Sequence, residues 1–90
     1  MYKPVYTNKF KKNGDLCKRR GYDMELIKTV VGTLLDAKPL PPNCRPHKLK
    51  GAYAEYWECH VAPDWLLIYR YDKVKSEIIF EDTGTHSDLF

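Results

Sequence analysis

The sequence predicts an α+β domain in which two N-terminal helices pack on one face of a small antiparallel sheet, in the order β-α-α-β-β-β. Three observations carry this. Leu26, Ile27, Val30, Val31, Leu34 and Leu35 recur at the helical period. Positions 53–82 fall into three apolar blocks separated by turn residues. The chain has 90 residues, enough for one core but not two, so helices and strands must share it. There is no repeat, low-complexity tract or internal boundary, and residues 1–90 are expected to form a single domain.

Tyr2 to Tyr6 is β-type, and Pro4 confines it to a sheet edge or a strand start. Thr7 or Asn8 can cap a helix running through Phe10, Leu16 and Cys17 to Lys18-Arg19-Arg20. Gly14 weakens that helix, the basic last turn suits its dipole, and Gly21 supplies the stop. Asp23 caps the second helix, whose apolar residues form one continuous face; Pro39, Pro41 and Pro42 end it. Residues 37–51 hold four of the six prolines and read as a stiff loop carrying His47. Tyr53 to Val61 alternates, with Trp57, Cys59 and Val61 on one face and Tyr56, Glu58 and His60 on the other. Ala62-Pro63-Asp64 turns the chain. Trp65 to Tyr71 is apolar on both faces, as a central strand is. Asp72 to Ser76 turns again, and Glu77 to Asp82 is the last strand of the meander.

Composition narrows the function classes. Hydrophobic residues make up 43 % and charged residues 30 %, the balance of an ordinary globule, and no apolar run is long enough to span a membrane. The N-terminal MYKPVYTNKF lacks the apolar stretch of a secretory signal, which makes the cytoplasm the expected compartment. Cys17, Cys44 and Cys59 are too few and too widely spaced for a disulfide framework or paired zinc ligands, and read as reduced, partly buried hydrophobes. The net charge of +3 is uneven: residues 1–20 carry seven Lys or Arg against one Asp, whereas residues 61–90 carry three against six acids. A basic N-terminal third points to a polyanion, nucleic acid being the commonest; the competing reading is a solvated helix face.

The three histidines, His47, His60 and His86, all lie in the second half. Alternation turns His60 away from Trp57 and Cys59, so it emerges on the sheet face opposite the helices. Asp64, just past the turn, is placed to fix the tautomer of His60. His86 ends the last strand, and the loop delivers His47. Imidazole has the side-chain pKa closest to neutrality, so such a set suits proton transfer. Two or three histidines, a carboxylate and nearby cations, without an obvious nucleophile, match RNA phosphodiester transfer. There the substrate's own 2′-hydroxyl attacks, and the protein supplies a base, an acid and positive charge. Seven Tyr, two Trp and three Phe offer stacking surfaces for unpaired bases. A metal site built from His47, His60, Asp64 and His86 is the chemical alternative, although no tight ligand pair at helix or hairpin spacing supports it.

The blocks RPHKLKG, ECHVAPDWLLIY and TGTHSDLF, in this order and near these spacings, resemble the YafQ-like branch of the RelE/ParE toxin superfamily. The resemblance runs the length of the chain and is strongest from residue 45. It implies a fold like that of small microbial ribonucleases and the toxin half of a toxin–antitoxin pair. Such toxins enter the ribosomal A site and cut mRNA there. A cognate antitoxin silences them, and operator DNA is contacted only through that antitoxin. No cofactor is implied. The family's functional positions fall on His47, His60, Asp64, His86 and Phe90, with Glu58 as the acid two residues before the second histidine. On this reading His86 is the general acid. His60, oriented by Asp64, and His47 share the base and phosphate-binding roles, and Phe90 stacks on or positions a nucleotide. Lys9, Lys11, Lys12, Lys18, Arg19 and Arg20 hold ribosomal RNA. One departure stands out: many relatives carry Arg directly before TGTH, where this chain has Asp82, leaving Arg70, Lys48, Lys50 or a protonated histidine to neutralise the phosphorane. Asp82 also keeps open a non-catalytic ribosome-binding blocker, and a metal-dependent hydrolase is a third reading.

Overall fold

The computed structural model covers residues 1–90. The elements are β1 (Lys3–Tyr6), α1 (Asn8–Arg19), α2 (Met24–Leu35), β2 (His47–Lys48), β3 (Trp57–Ala62), β4 (Trp65–Asp72), β5 (Glu77–Gly84) and a terminal turn of helix, α3 (His86–Leu89). Short 3₁₀ turns occupy Pro42–Cys44 and Gly51–Tyr53. The strands form one five-stranded sheet in the order β1-β5-β4-β3-β2.

Local signals account for both long helices. The Thr7 hydroxyl accepts from Phe10 N, and the Asp23 carboxylate accepts from Glu25 N, each satisfying a first-turn amide. Both helices end in the same doubly bonded motif. Gly21 N donates to Lys18 O and Tyr22 N to Cys17 O; Ala37 N donates to Leu34 O and Lys38 N to Thr33 O. The left-handed residue is Gly21 in the first case (φ 85°) but Ala37 in the second (φ 57°). The second helix therefore stops at Asp36, ahead of the prolines expected to end it. A left-handed Ala costs about 1 kcal/mol that Gly does not. Ala37→Gly is expected to raise the thermal midpoint by about 4–8 °C, read by circular dichroism; an unchanged midpoint would mean that the unfolded chain's gain in freedom cancels the relief.

The core lies between α1, α2 and one sheet face. Cys17, Ile27, Val30, Val31 and Leu34 from the helices meet Cys59, Trp65, Leu67, Tyr69, Ile78 and Phe80 from the strands, and Cys44 closes one side. Leu26 departs from the expected apolar face and is 44 % exposed, because the buried stripe is narrower than the apolar one. β4 is the middle strand and is buried on both faces from Trp65 to Tyr69. Burial pushes the Cys59 thiol up to about 12 and raises those of Cys17 and Cys44, so all three are inert hydrophobes.

Four features differ from the sequence-based expectation. The sheet is mixed, because β1 runs parallel to β5 while every other pair is antiparallel. Strand β3 begins at Trp57 rather than Tyr53, because Gly51 (φ 67°) starts a 3₁₀ turn and Leu49 N donates to Tyr56 O across the loop. The proline-rich loop is not structureless: it contributes β2, paired to β3 through His47↔Glu58 and Lys48↔Trp57. Finally, β5 continues to Gly84, and His86 opens a helical turn instead of ending a strand.

Candidate active site

The face of the sheet turned away from the helices carries a row of titratable side chains. Glu58 and His60 share that face of β3, two residues apart. Glu58 is buried, at 6 % exposure, and lies opposite His47 on β2. The His47 Nε2 sits 3.3 Å from Glu58 Oε1, and its Nδ1 lies 3.0 Å from the Arg45 carbonyl. Both ring nitrogens of His47 thus face acceptors, which fixes the ring between β3 and its own loop. Arg45 itself is left-handed (φ 42°), which turns its carbonyl toward the ring of the residue two positions on.

His60 donates from Nδ1 to the Pro63 carbonyl at 3.3 Å, the only hydrogen bond its ring makes, so Nε2 is left without a partner. Its ring centre is 6.0 Å from that of His86. His86 donates from Nδ1 to Asp64 Oδ1 at 2.7 Å, and its backbone N–H donates to the same oxygen at 3.2 Å. These two bonds hold the Asp64 carboxyl below its ordinary pKa, the His86 side chain contributing most. A depressed carboxylate pKa stabilises the fold above the unfolded value and stops doing so only as pH falls through the lowered one, so Asp64 is ionised throughout the neutral range.

The partner of Asp64 is therefore His86, not His60 as expected from its place after the turn. Register is the reason. β4 and β5 pair through Leu66↔Gly84, Leu67↔Thr83 and Ile68↔Asp82. Continued by two residues, that antiparallel register sets position 64 opposite position 86. The turn then leaves the Pro63 carbonyl, rather than the carboxylate, for His60.

The C-terminal turn is held from several sides. Thr85 and Asp88 form a reciprocal cap: Thr85 Oγ1 accepts from Asp88 N, and an Asp88 oxygen accepts from Thr85 N. Arg20, at the end of α1, grips Asp88 with both guanidinium nitrogens at 2.6 and 3.1 Å. This holds the Asp88 carboxyl well below the usual range. Phe90 N donates to His86 O, and the Phe90 ring meets Tyr53 edge-on at 6.3 Å. Phe90 lines one cleft with Tyr53, Tyr56, Leu49, Ile68 and Lys9. The T-x-x-D spacing of this cap is a local signal within the sequence, whereas the tie to Arg20, 68 positions away, exists only in the fold.

The structure sorts the expected cations. Lys9 Nζ is 3.5 Å from Asp82, which is buried and also accepts from Asn13 and from Thr83 N. The Asp82 carboxylate thus draws an α1 lysine to the edge of the Phe90 cleft. Arg20 is occupied by Asp88. Lys11, Lys12, Lys18 and Arg19 are exposed on α1. Arg70 and Lys48 line a separate concavity with Trp57 and Tyr71. Arg70 is four residues along β4 from Leu66, the partner of His60, or about 13 Å at strand rise. Lys50 is exposed in the loop. No three His, Cys, Asp or Glu side chains come together in an arrangement that could hold a metal ion.

Comparison with known proteins bears on this geometry. A family model described as "Bacterial toxin of type II toxin-antitoxin system, YafQ" matches residues 2–90. The Escherichia coli K12 protein "mRNA interferase toxin YafQ" is 38 % identical over 87 residues, covering 94 % of this chain and 91 % of that one. A metal-bound toxin from Helicobacter pylori superposes with a TM-score of 0.94 at 36 % identity, with all of both chains covered. The crystal structure of the E. coli DinJ-YafQ complex contains a chain that superposes with a TM-score of 0.89 at 34 % identity over 100 % of this chain and 99 % of that one. The three sequence blocks, the α+β architecture and a match spanning the chain all lead to one conclusion: the protein belongs to the YafQ family of bacterial toxins of type II toxin–antitoxin systems.

Proposed function

We propose that the protein is an endoribonuclease that cuts mRNA in the ribosomal A site and so halts translation, by metal-independent acid–base chemistry. The observation that carries this reading is the His60–His86 pair: two imidazoles 6.0 Å apart, each with Nδ1 engaged and Nε2 turned out. At that separation each ring can reach a different oxygen of one phosphodiester. The His60 Nε2 takes the proton of the 2′-hydroxyl, and the 2′-oxygen attacks phosphorus. The His86 Nε2 gives its proton to the departing 5′-oxygen, with Asp64 supporting the charged ring. The products are a 2′,3′-cyclic phosphate and a 5′-hydroxyl; the same two rings with roles reversed add water to give a 3′-phosphate. His47, held between the Arg45 carbonyl and Glu58, directs its ring at the phosphorane oxygens. Phe90, with Tyr53 and Tyr56, offers aromatic surface to a base.

Lys11, Lys12, Lys18 and Arg19 bind ribosomal RNA through its phosphates in this reading, and Arg70, Lys48 and Lys50 extend the basic surface beside the site. Replacing any of the α1 four by Ala is expected to weaken ribosome binding and flatten its logarithmic salt dependence by about 0.7–0.9 per residue. Titration at several salt concentrations measures that slope. A cognate antitoxin is the expected protein partner, as DinJ is of E. coli YafQ, and the ribosome places the activity in the cytoplasm. The direct test is primer extension on mRNA in programmed ribosomes, with analysis of the 3′ ends. New 5′ ends at A-site codons, retained in excess chelator and accompanied by cyclic phosphate, support the reading. Arrest of translation without new ends would replace it with the non-catalytic blocker, and loss of cutting in chelator would restore the metal-dependent alternative.

A further inference from the structure

We infer that the Arg20–Asp88 ion pair is a positioning device for the reaction, which ties the end of α1 to the terminal turn that carries His86 and Phe90. The inference rests on the nuclease reading above and extends it to residues outside the histidine row. The argument starts from the instability of α3. A helix of four residues at a chain terminus does not hold itself together: nucleation is unfavourable and terminal segments fray. Yet this turn carries the proposed general acid and the aromatic ring beside it, and misplacing a reacting group by about 1 Å can cost 10²-fold in rate. Something outside the turn must fix it.

Asp88 is the point where that happens. Its Oδ2 accepts from Arg20 Nη1 at 2.6 Å and from Thr85 N at 2.9 Å, while Oδ1 accepts from Arg20 Nη2 at 3.1 Å. One carboxylate therefore closes the helical cap and clamps it to a rigid twelve-residue helix. An isolated exposed ion pair is worth little, but a bidentate Arg pair sharing its carboxylate with a backbone cap restrains direction as well as distance. Gly84 makes room for it: a Cβ at that position would lie 2.9 Å from Asp88 Cβ, so only the bare α-carbon admits the carboxylate. Asp64 fixes His86 at the opening of the turn, and Arg20 fixes the same turn from the other side. Arg20 thus acts through the catalytic turn and not as a free phosphate ligand.

Two measurements test this. Single-turnover cleavage is followed on saturating mRNA-programmed ribosomes with the wild type, Arg20→Ala, Asp88→Asn and the double variant. Each single change is expected to lower the maximal rate about 10- to 100-fold with little change in KM, and the double change to lower it no further. Arg20→Lys, which keeps the charge but not the two-pronged grip, is expected to fall between. If Arg20 merely bound RNA, Arg20→Ala would raise KM, Arg20→Lys would behave as wild type, and Asp88→Asn, by removing a negative charge, would bind equally or better; that pattern overturns the proposal. Amide hydrogen exchange over residues 85–90 of the free protein is expected to speed up in Arg20→Ala and Asp88→Asn but not in Lys28→Ala, a distant surface change. Unaltered exchange in the first two overturns it as well. Because exchange needs no catalysis, a wild-type protein that cuts no mRNA would remove the nuclease reading while leaving this second measurement decisive for the clamp.

Discussion

His86→Ala is expected to lower mRNA cleavage on ribosomes by about 10²- to 10⁴-fold, the range a lost general acid spans. The substitution removes the proposed general acid while leaving the sheet untouched, because His86 is exposed and outside the core. Ribosome affinity should therefore survive. The readouts are rapid-quench kinetics on programmed ribosomes and growth after induction. Loss of both cleavage and growth arrest is the expected result. Growth arrest that persists without new 5′ ends would show that occupying the ribosome is enough, and the acid–base mechanism would fall.

Asp64→Asn tests how that acid is prepared. The carboxylate accepts two hydrogen bonds from His86 through a single oxygen, one from the ring and one from the backbone. An amide can mimic the shape but cannot balance the positive charge of the protonated ring, and it can present its NH₂ to Nδ1 and reverse the tautomer. The expected loss is about 10- to 10²-fold in kcat, smaller than for a buried triad carboxylate because this pair is exposed and screened. The pH dependence carries the sign. Asp64 is held below its ordinary pKa, so the wild type keeps its carboxylate until pH falls below the normal carboxylate range. From neutrality down to that range, acidification should not remove the Asp64 contribution. The ratio of wild-type to Asp64→Asn rates is therefore expected to hold as pH falls through the ordinary carboxylate range; a ratio that collapsed toward one at pH ~4, the ordinary Asp value, would mean that the carboxylate titrates normally and does not bind His86 in solution.

The sequence disclosed much of this because its strongest signals are local. The 3.6-residue period of α2 and the apolar run of β4 need no partner to be read, and burial of Ile27, Val30, Val31 and Leu34 and of Trp65 to Tyr69 follows from them. The placement of His60 away from Cys59 follows from strand alternation alone. The caps at Thr7 and Asp23 were likewise legible, since a cap bonds within three residues. Ala37 was not, because its residue type argues against the conformation it adopts. The strand start at Trp57 was missed because Tyr53 to Tyr56 have strand-like composition, and only the turn at Gly51 takes them out of the ladder.

The chain's residue order by itself established the helix–strand succession, the single core and the presence of three imidazoles with a carboxylate in one half. Their pairing was settled by tertiary structure: Asp64 with His86, His47 with Glu58, Arg20 with Asp88, and Lys9 with Asp82. The physical reason is the range of the two kinds of interaction. Backbone periodicity and capping act over a few residues, whereas a hydrogen bond between side chains 22 or 68 positions apart exists only after strand register and helix packing have brought the two groups within 3 Å of each other.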